Sequence, residues 1–257
     1  MCLILFSWDN HPEYKLILAA NRDEFYNRPT ASLHEWEDAK GLLAGKDLTG
    51  GGTWMGIHRN NRFTALTNHR NPSRVLKDAP SRGDLTADFL HGNQSPATYY
   101  DQKSDGLSHY NGFNLLAGDF HRLGYFNNVT EAYTEIEPGT YGLSNAVLDS
   151  PWPKLRKAKA AFTKAIASES PDPEALYALL QDRSLAADEE LPQTGVPYDW
   201  EKALSAVYIE TEGYGTCCST LLTITHEGEG TIRELSYPVG NRTASEVVIQ
   251  FDWSAFQ

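Results

Sequence analysis

The sequence is short of several features that mark whole classes of protein. Its three cysteines are Cys2, alone, and the adjacent Cys217-Cys218. They make neither a disulfide framework nor a CxxC metal pair, so reduced thiols are expected. Basic residues are in deficit, 22 against 34 acidic ones, for a net charge of −12. Contacts to a phosphate backbone need clustered Lys and Arg, which disfavours a general nucleic-acid or anionic-membrane binder. A local basic pocket for one anionic ligand remains open. Long apolar runs are missing. Residues 2–8 and 16–20 are far too short to span a bilayer, and no basic segment precedes an apolar stretch at the N-terminus. No stable membrane insertion and a cytoplasmic address are therefore expected. The eight His show no HExxH, and Gly50-Gly51-Gly52 matches neither a P-loop nor GxGxxG. A metal centre, a nucleotide loop and a required cofactor are accordingly not expected.

What is present suits a globular protein. Apolar residues make up 40% of the chain, and 257 residues leave room for a large core, read here as one domain over 1–257. Residues 2–8 and 14–21 read as two Leu- and Ile-rich strands joined by the turn Asp9-Asn10-His11-Pro12. An irregular segment is expected over 28–52, then strands over 53–58 and 62–68. Ser81 with Asp84 resembles a capping box opening a helix, and a second helix is expected over 96–107. Strands are expected over 113–119, 123–127, 132–137 and 141–144. Residues 153–168 and 172–180 read as helices, with Leu155, Ala158, Phe162 and Ile166 at helical spacing. After a polar loop over 186–197, strands return over 206–210, 219–226, 231–236 and 246–251. Strands meet strands through short turns and helices come in their own blocks. That order predicts an α+β fold, a four-layer α/β/β/α sandwich of two mostly antiparallel sheets flanked by helices.

Three sets of residues invite a chemical reading. Removal of Met1 would leave a free α-amine on the same residue as the Cys2 thiol, a nucleophile and a base together. With Met1 in place, the thiol needs another base. The alternative is a small apolar residue starting a buried strand. The second set is Asn21-Arg22-Asp23-Glu24, an odd run of charge after an apolar strand. Pairing of the first two strands puts Arg22 and Asp23 near Cys2, where Arg22 would hold a thiolate or an anionic group. The alternative is a solvated surface ion pair. The third set is Asn68 and Asn145 at strand ends, each an oxyanion donor or an ordinary turn residue. His58 and His69 flank one hairpin, in reach of a ligand.

The run Asn21-Arg22-Asp23-Glu24 behind Met-Cys resembles the NRDE family, the Transport-and-Golgi-organisation 2 relatives. Further matching stretches extend along nearly the whole chain. They include Ala44-Gly45-Lys46-Asp47, Gly51-Gly52-Thr53-Trp54-Met55-Gly56, Ser81-Arg82-Gly83, Gly142-Leu143-Ser144-Asn145, Pro151-Trp152-Pro153-Lys154 and Tyr214-Gly215-Thr216. The resemblance implies an N-terminal-nucleophile hydrolase-like fold, similar at a distance to bile-salt hydrolases and penicillin acylases. Carried over, Cys2 is the nucleophile, Asp23 its orienting carboxylate, and Asn68 and Asn145 oxyanion or substrate contacts, with Arg22 beside them. Two departures stand out. The acylases place their Arg a few residues earlier, near the position of Ala20, and relatives usually carry Arg where Cys217 stands. The family is also associated with haem trafficking and with acyl-coenzyme A or lipid handling, roles that need a pocket rather than a nucleophile. Asn21, Glu24, Trp54, His58, His69, Arg70 and Cys217 are the ligand contacts so implied, with Cys2, His58 or His69 as axial ligand if the cargo is haem. Binding and trafficking of a haem or an acyl thioester is the preferred expectation. A Cys2 amidohydrolase or acyltransferase acting on C–N bonds is the alternative.

Overall fold

A computed structural model describes residues 2–240 and 242–256. β1 (Cys2–Trp8) and β2 (Tyr14–Phe25) pair antiparallel, Cys2 opposite Arg22 and Trp8 opposite Leu16. Alternation sends Ile4 and Phe6 to one face of β1 and Leu3 and Leu5 to the other, and both faces are covered. That is why these strands read as nearly unbroken apolar runs.

β3 (Thr30–Glu35), β4 (Leu42–Asp47), β5 (Met55–His58), β6 (Arg62–Asn68), β7 (Phe113–Gly118), β8 (Leu123–Asn127) and β9 (Ala132–Glu135) then form a seven-stranded antiparallel meander. α1 (Gly83–His91) and α2 (Pro96–Lys103) interrupt it after β6. β10 (Gly139–Leu143) returns to pair with β1. α3 (Pro153–Ala165), α4 (Pro173–Leu180) and α5 (Tyr198–Ala203) follow. β11 (Tyr214–Thr225), β12 (Glu229–Ser236) and β13 (Ser245–Asp252) complete a six-stranded sheet, ordered β10-β1-β2-β11-β12-β13.

Three apolar layers hold the sandwich together. Ile4, Phe6 and Leu18 meet Leu43, Ile57 and Leu116 between the sheets. Leu3, Leu5 and Ile17 pack under Leu155, Phe162 and Leu176 of α3 and α4. Phe113, Leu115 and Phe126 pack under Leu85, Phe89 and Tyr99 of α1 and α2. Each fully buried side chain of this size contributes about 1.5–3 kcal/mol. The expected α/β/β/α sandwich is therefore the fold. No helix among the described residues is long and apolar enough to cross a membrane.

Several local expectations are corrected. The segment 28–52 holds β3 and β4 rather than irregular chain. β3 is an edge strand with a register shift between Ala31 and His34, and Leu33 is its one fully covered residue, so it carries almost no alternation signal. The Ser81 capping box does not form: Arg82 is the N-cap of α1 with no side-chain cap, and the Asp84 N–H donates to the Ser81 carbonyl instead. The helix expected over 96–107 changes after Lys103 into a 3-10 turn over 104–109 that contains Gly106. Residues 206–210 are not a strand. Val207 and Ile209 are buried there, but the stretch pairs only through an isolated Glu210–Gly215 bridge. Most consequential, β2 runs on to Phe25, so the charged motif lies within a central strand and not at a solvated exit.

Candidate functional site: a cysteine and five arginines around one cavity

The four motif residues have different surroundings. Asn21 is 1% exposed. Its amide donates to the carbonyls of Leu180 (2.8 Å) and Val207 (3.0 Å), and its Oδ1 accepts from Ser219 Oγ (2.6 Å). It clamps the end of α4 and the 206–210 stretch onto β2. Arg22, 5% exposed, stacks its guanidinium 4.2 Å from the Trp54 ring centre. Its Nη2 lies 3.6 Å from Glu24, while Nη1 is buried with no hydrogen-bond partner among the described residues. Asp23, 1% exposed, accepts from Thr216 Oγ1 at 2.7 Å, and the Tyr214 hydroxyl donates to its carbonyl at 3.1 Å. Burial pushes the Asp23 carboxyl up, and the nearby Lys154 charge pulls it back down. Glu24 accepts from the Phe25 N–H and faces both Arg22 and Arg28.

Cys2 is buried opposite Arg22, and Ser144 Oγ donates to its carbonyl at 3.1 Å. Burial pushes the Cys2 thiol up, against the downward pull of Arg22. A thiol held up in this way supplies little thiolate near neutral pH.

Cys2, Arg22, Asp23 and Glu24 line a cavity of about 790 Å³, together with the expected Trp54, Asn68, His69 and Arg70. His69 Nδ1 is buried with no hydrogen-bond partner among the described residues, and burial pulls the imidazole below its usual range. Arg70 pairs with Glu201 at 2.6 Å and stacks 4.7 Å over Trp152. Other expected residues stand elsewhere. His58 ends β5 away from the cavity, its Nδ1 accepting from the Asn60 N–H. Asn145 is fully buried behind the wall; its amide donates to the Asn68 carbonyl, and its own carbonyl accepts from the Arg70 N–H. It braces the loop that presents Asn68 and Arg70. Asn21 does not line this cavity, and Cys217 lines a neighbouring one.

Residues that sequence reasoning passed over complete the wall. Arg28 pairs with Asp47 at 2.8 Å, and Arg82 Nη1 donates to the Gly112 carbonyl at 3.0 Å. With Arg74, the lining holds five arginines against three carboxylates, Asp23, Glu24 and Asp47. Lys154, in the first turn of α3, is 4% exposed and its Nζ has no hydrogen-bond partner among the described residues. Burial pulls its pKa down to about 8, with Asp23 the strongest charge holding it up. Both Arg82 and Lys154 belong to stretches that resemble the family pattern, which was the available signal for them.

Two antiparallel sheets between helix layers make an N-terminal-nucleophile hydrolase-like fold. The mutant C2A conjugated bile acid hydrolase from Clostridium perfringens has the same architecture, with a TM-score of 0.51 over 99% of this chain and 93% of that one at 9% identity. The family model for Transport and Golgi organisation 2 matches residues 1–238. The mouse Transport and Golgi organization 2 homolog is 35% identical over 257 residues, covering 92% of this chain and 93% of its own. The Drosophila melanogaster Transport and Golgi organization protein 2 is 29% identical over 256 residues, covering 89% of each. The chain belongs to the Transport and Golgi organisation 2 family.

Proposed function

We propose that the chain binds and carries, in the cytoplasm, a small, partly apolar anion of the haem or acyl-thioester class in the cavity beside Cys2. One observation carries this reading. In a protein of net charge −12, the cavity wall holds a surplus of arginine, and the buried Arg22 keeps a donor, Nη1, with no hydrogen-bond partner among the described residues. A guanidinium fork suits a carboxylate or a phosphate. Trp54, Leu66, Val75 and Leu204 on the same wall offer apolar surface to the rest of the ligand. His69, whose Nδ1 has no hydrogen-bond partner among the described residues, or the Cys2 thiol, would supply an axial ligand if the cargo is haem. The haem form is tested by absorbance titration: a saturable Soret shift that changes in a His69→Ala variant supports it, and no shift removes it. The thioester form is tested by displacing a fluorescent acyl-coenzyme A with unlabelled ligand. If neither compound binds, the reading fails.

A second reading rests on Cys2 standing opposite Arg22 and beside Asp23. It makes Cys2 the nucleophile of an amidohydrolase. It requires Met1 to be removed, so that the Cys2 amine takes the thiol proton as sulfur attacks a carbonyl carbon. Intact-mass measurement and an amide panel decide it. A retained Met1, or turnover that survives Cys2→Ala, excludes it.

A further inference from the structure

A smaller cavity of about 260 Å³ shares Arg22 and Trp54 with the larger one but excludes Cys2. Cys217, Cys218, Glu234 and Arg242 also line it. Adjacent residues of a regular strand point to opposite faces, which would separate the two thiols. β11 is irregular at this point. Its pairing with β2 passes from Thr216–Asp23 directly to Cys218–Arg22, leaving Cys217 as an extra, bulged residue. Both cysteines therefore line one cavity, and both are free thiols.

The surroundings of the pair are specific. The Cys217 thiol donates to the carbonyls of Gly215 (3.4 Å) and Glu24 (3.7 Å), and the Cys218 thiol faces the Glu234 carboxyl across the same cavity. Burial pushes both thiols up, and the guanidinium groups of Arg22 and Arg242 pull both down; Asp23, Glu24 and Glu234 are the acidic groups facing them. Arg242 is held in place by bonds to the Arg28 carbonyl and Thr30 Oγ1, each 2.8 Å. Arg22 Nη1, buried and without a hydrogen-bond partner among the described residues, belongs to the same wall.

We propose that Cys217 and Cys218 form a two-thiolate site for a monovalent soft metal ion, of which Cu(I) is the type. Thiolate sulfur selects soft ions. Among the described residues no group of three or more His, Cys, Asp or Glu is placed to hold a metal, so the four ligands of structural zinc are not available. A two-coordinate ion needs only the pair. On binding, each thiol releases its proton to solvent and each sulfur gives an electron pair to the metal. Two S–H bonds break and two S–metal bonds form. No electron is transferred, because the ion enters as Cu(I) and stays so. Two thiolates and one monovalent cation leave a net charge of −1 in the cavity, and Arg22 and Arg242 are the cations that face it. The sequence hides this site because its spacing is not CxxC; the bulge, not the spacing, brings the thiols to one cavity. The site shares the Arg22–Trp54 wall with the larger cavity but takes its ligands from residues that the larger cavity lacks.

The test is an anaerobic titration of the reduced full-length chain with Cu(I) in competition with bicinchoninate. The expected result is one Cu(I) withdrawn per chain. Cys2→Ala keeps that capacity, while Cys217→Ala and Cys218→Ala each lose it by about 100-fold or more in affinity. Failure of the wild-type chain to withdraw Cu(I), or loss in Cys2→Ala with retention in Cys217→Ala, overturns the proposal. Copper-edge X-ray absorption of the loaded wild-type chain gives a reading free of any variant. Two sulfur neighbours are expected, and a shell of nitrogen and oxygen alone contradicts it.

Discussion

Arg22 and Asn21 are neighbours in one motif, yet one faces a cavity and the other fastens a helix. Replacing Asn21 by Ala leaves the Leu180 and Val207 carbonyls unsatisfied inside the protein. A cost of about 2 kcal/mol is expected from urea unfolding, with ligand affinity in the folded fraction unchanged. Lys154 poses the opposite case. A buried ammonium without a hydrogen bond costs stability, and an apolar side chain of similar length relieves that cost. Lys154→Met is expected to stabilise the chain on the order of 1 kcal/mol at pH 7, read by the same unfolding. The effect has a pH signature. The folded pKa is about 8 against an ordinary lysine value of 10.5, so between those values the unfolded chain holds a proton that the folded chain has released. Stability from this group therefore rises with pH across that window, and the penalty is constant below it. Lys154→Met flattens the rise; an unchanged slope would contradict the assignment. Asp23, held up by burial, contributes the opposite slope, stability falling as pH rises through the gap between its unfolded and folded values.

The elements show what a sequence displays and what it conceals. The β1–β2 hairpin was legible because both faces are apolar and its turn is polar. α3 was legible because Leu155, Ala158 and Phe162 recur at helical spacing on a buried stripe. β3 was not, since an edge strand with a register shift and one fully covered side chain has no period to read. The motif strand was read as ending at Asn21 because charge normally means solvent; burial of Arg22 and Asp23 inside a paired strand is a tertiary effect. For the same reason Cys2, Arg22 and Asp23 were found together from strand pairing alone, whereas Arg82 and Lys154 reach the site from distant segments. Arg82 arrives through a tight junction. A Cβ on Gly52 would lie 2.4 Å from the Gly83 carbonyl carbon, backbone on which α1 begins. Gly52→Ala is expected to push that helix start away, costing about 1–3 kcal/mol by thermal melting. It should also weaken ligand binding through Arg82. Unchanged stability would show that the junction yields freely.

At the scale of the whole molecule, an acidic body encloses a cavity whose wall is richer in arginine than in carboxylate, at one end of two packed sheets. The fold is shared with a conjugated bile acid hydrolase, but a fold does not fix function. Arg22, stacked on Trp54 and with an Nη1 that has no hydrogen-bond partner among the described residues, is the proposed anchor of a partly apolar anion in this cavity. Calorimetric titration of wild type and Arg22→Met with haem and with an acyl-coenzyme A tests it most directly. One of the two ligands should bind wild type at a single site, and Arg22→Met should weaken that binding by about tenfold or more, ~1.4 kcal/mol, while the chain stays folded. Equal affinity in the folded variant, or no binding of either ligand to wild type, would contradict the account.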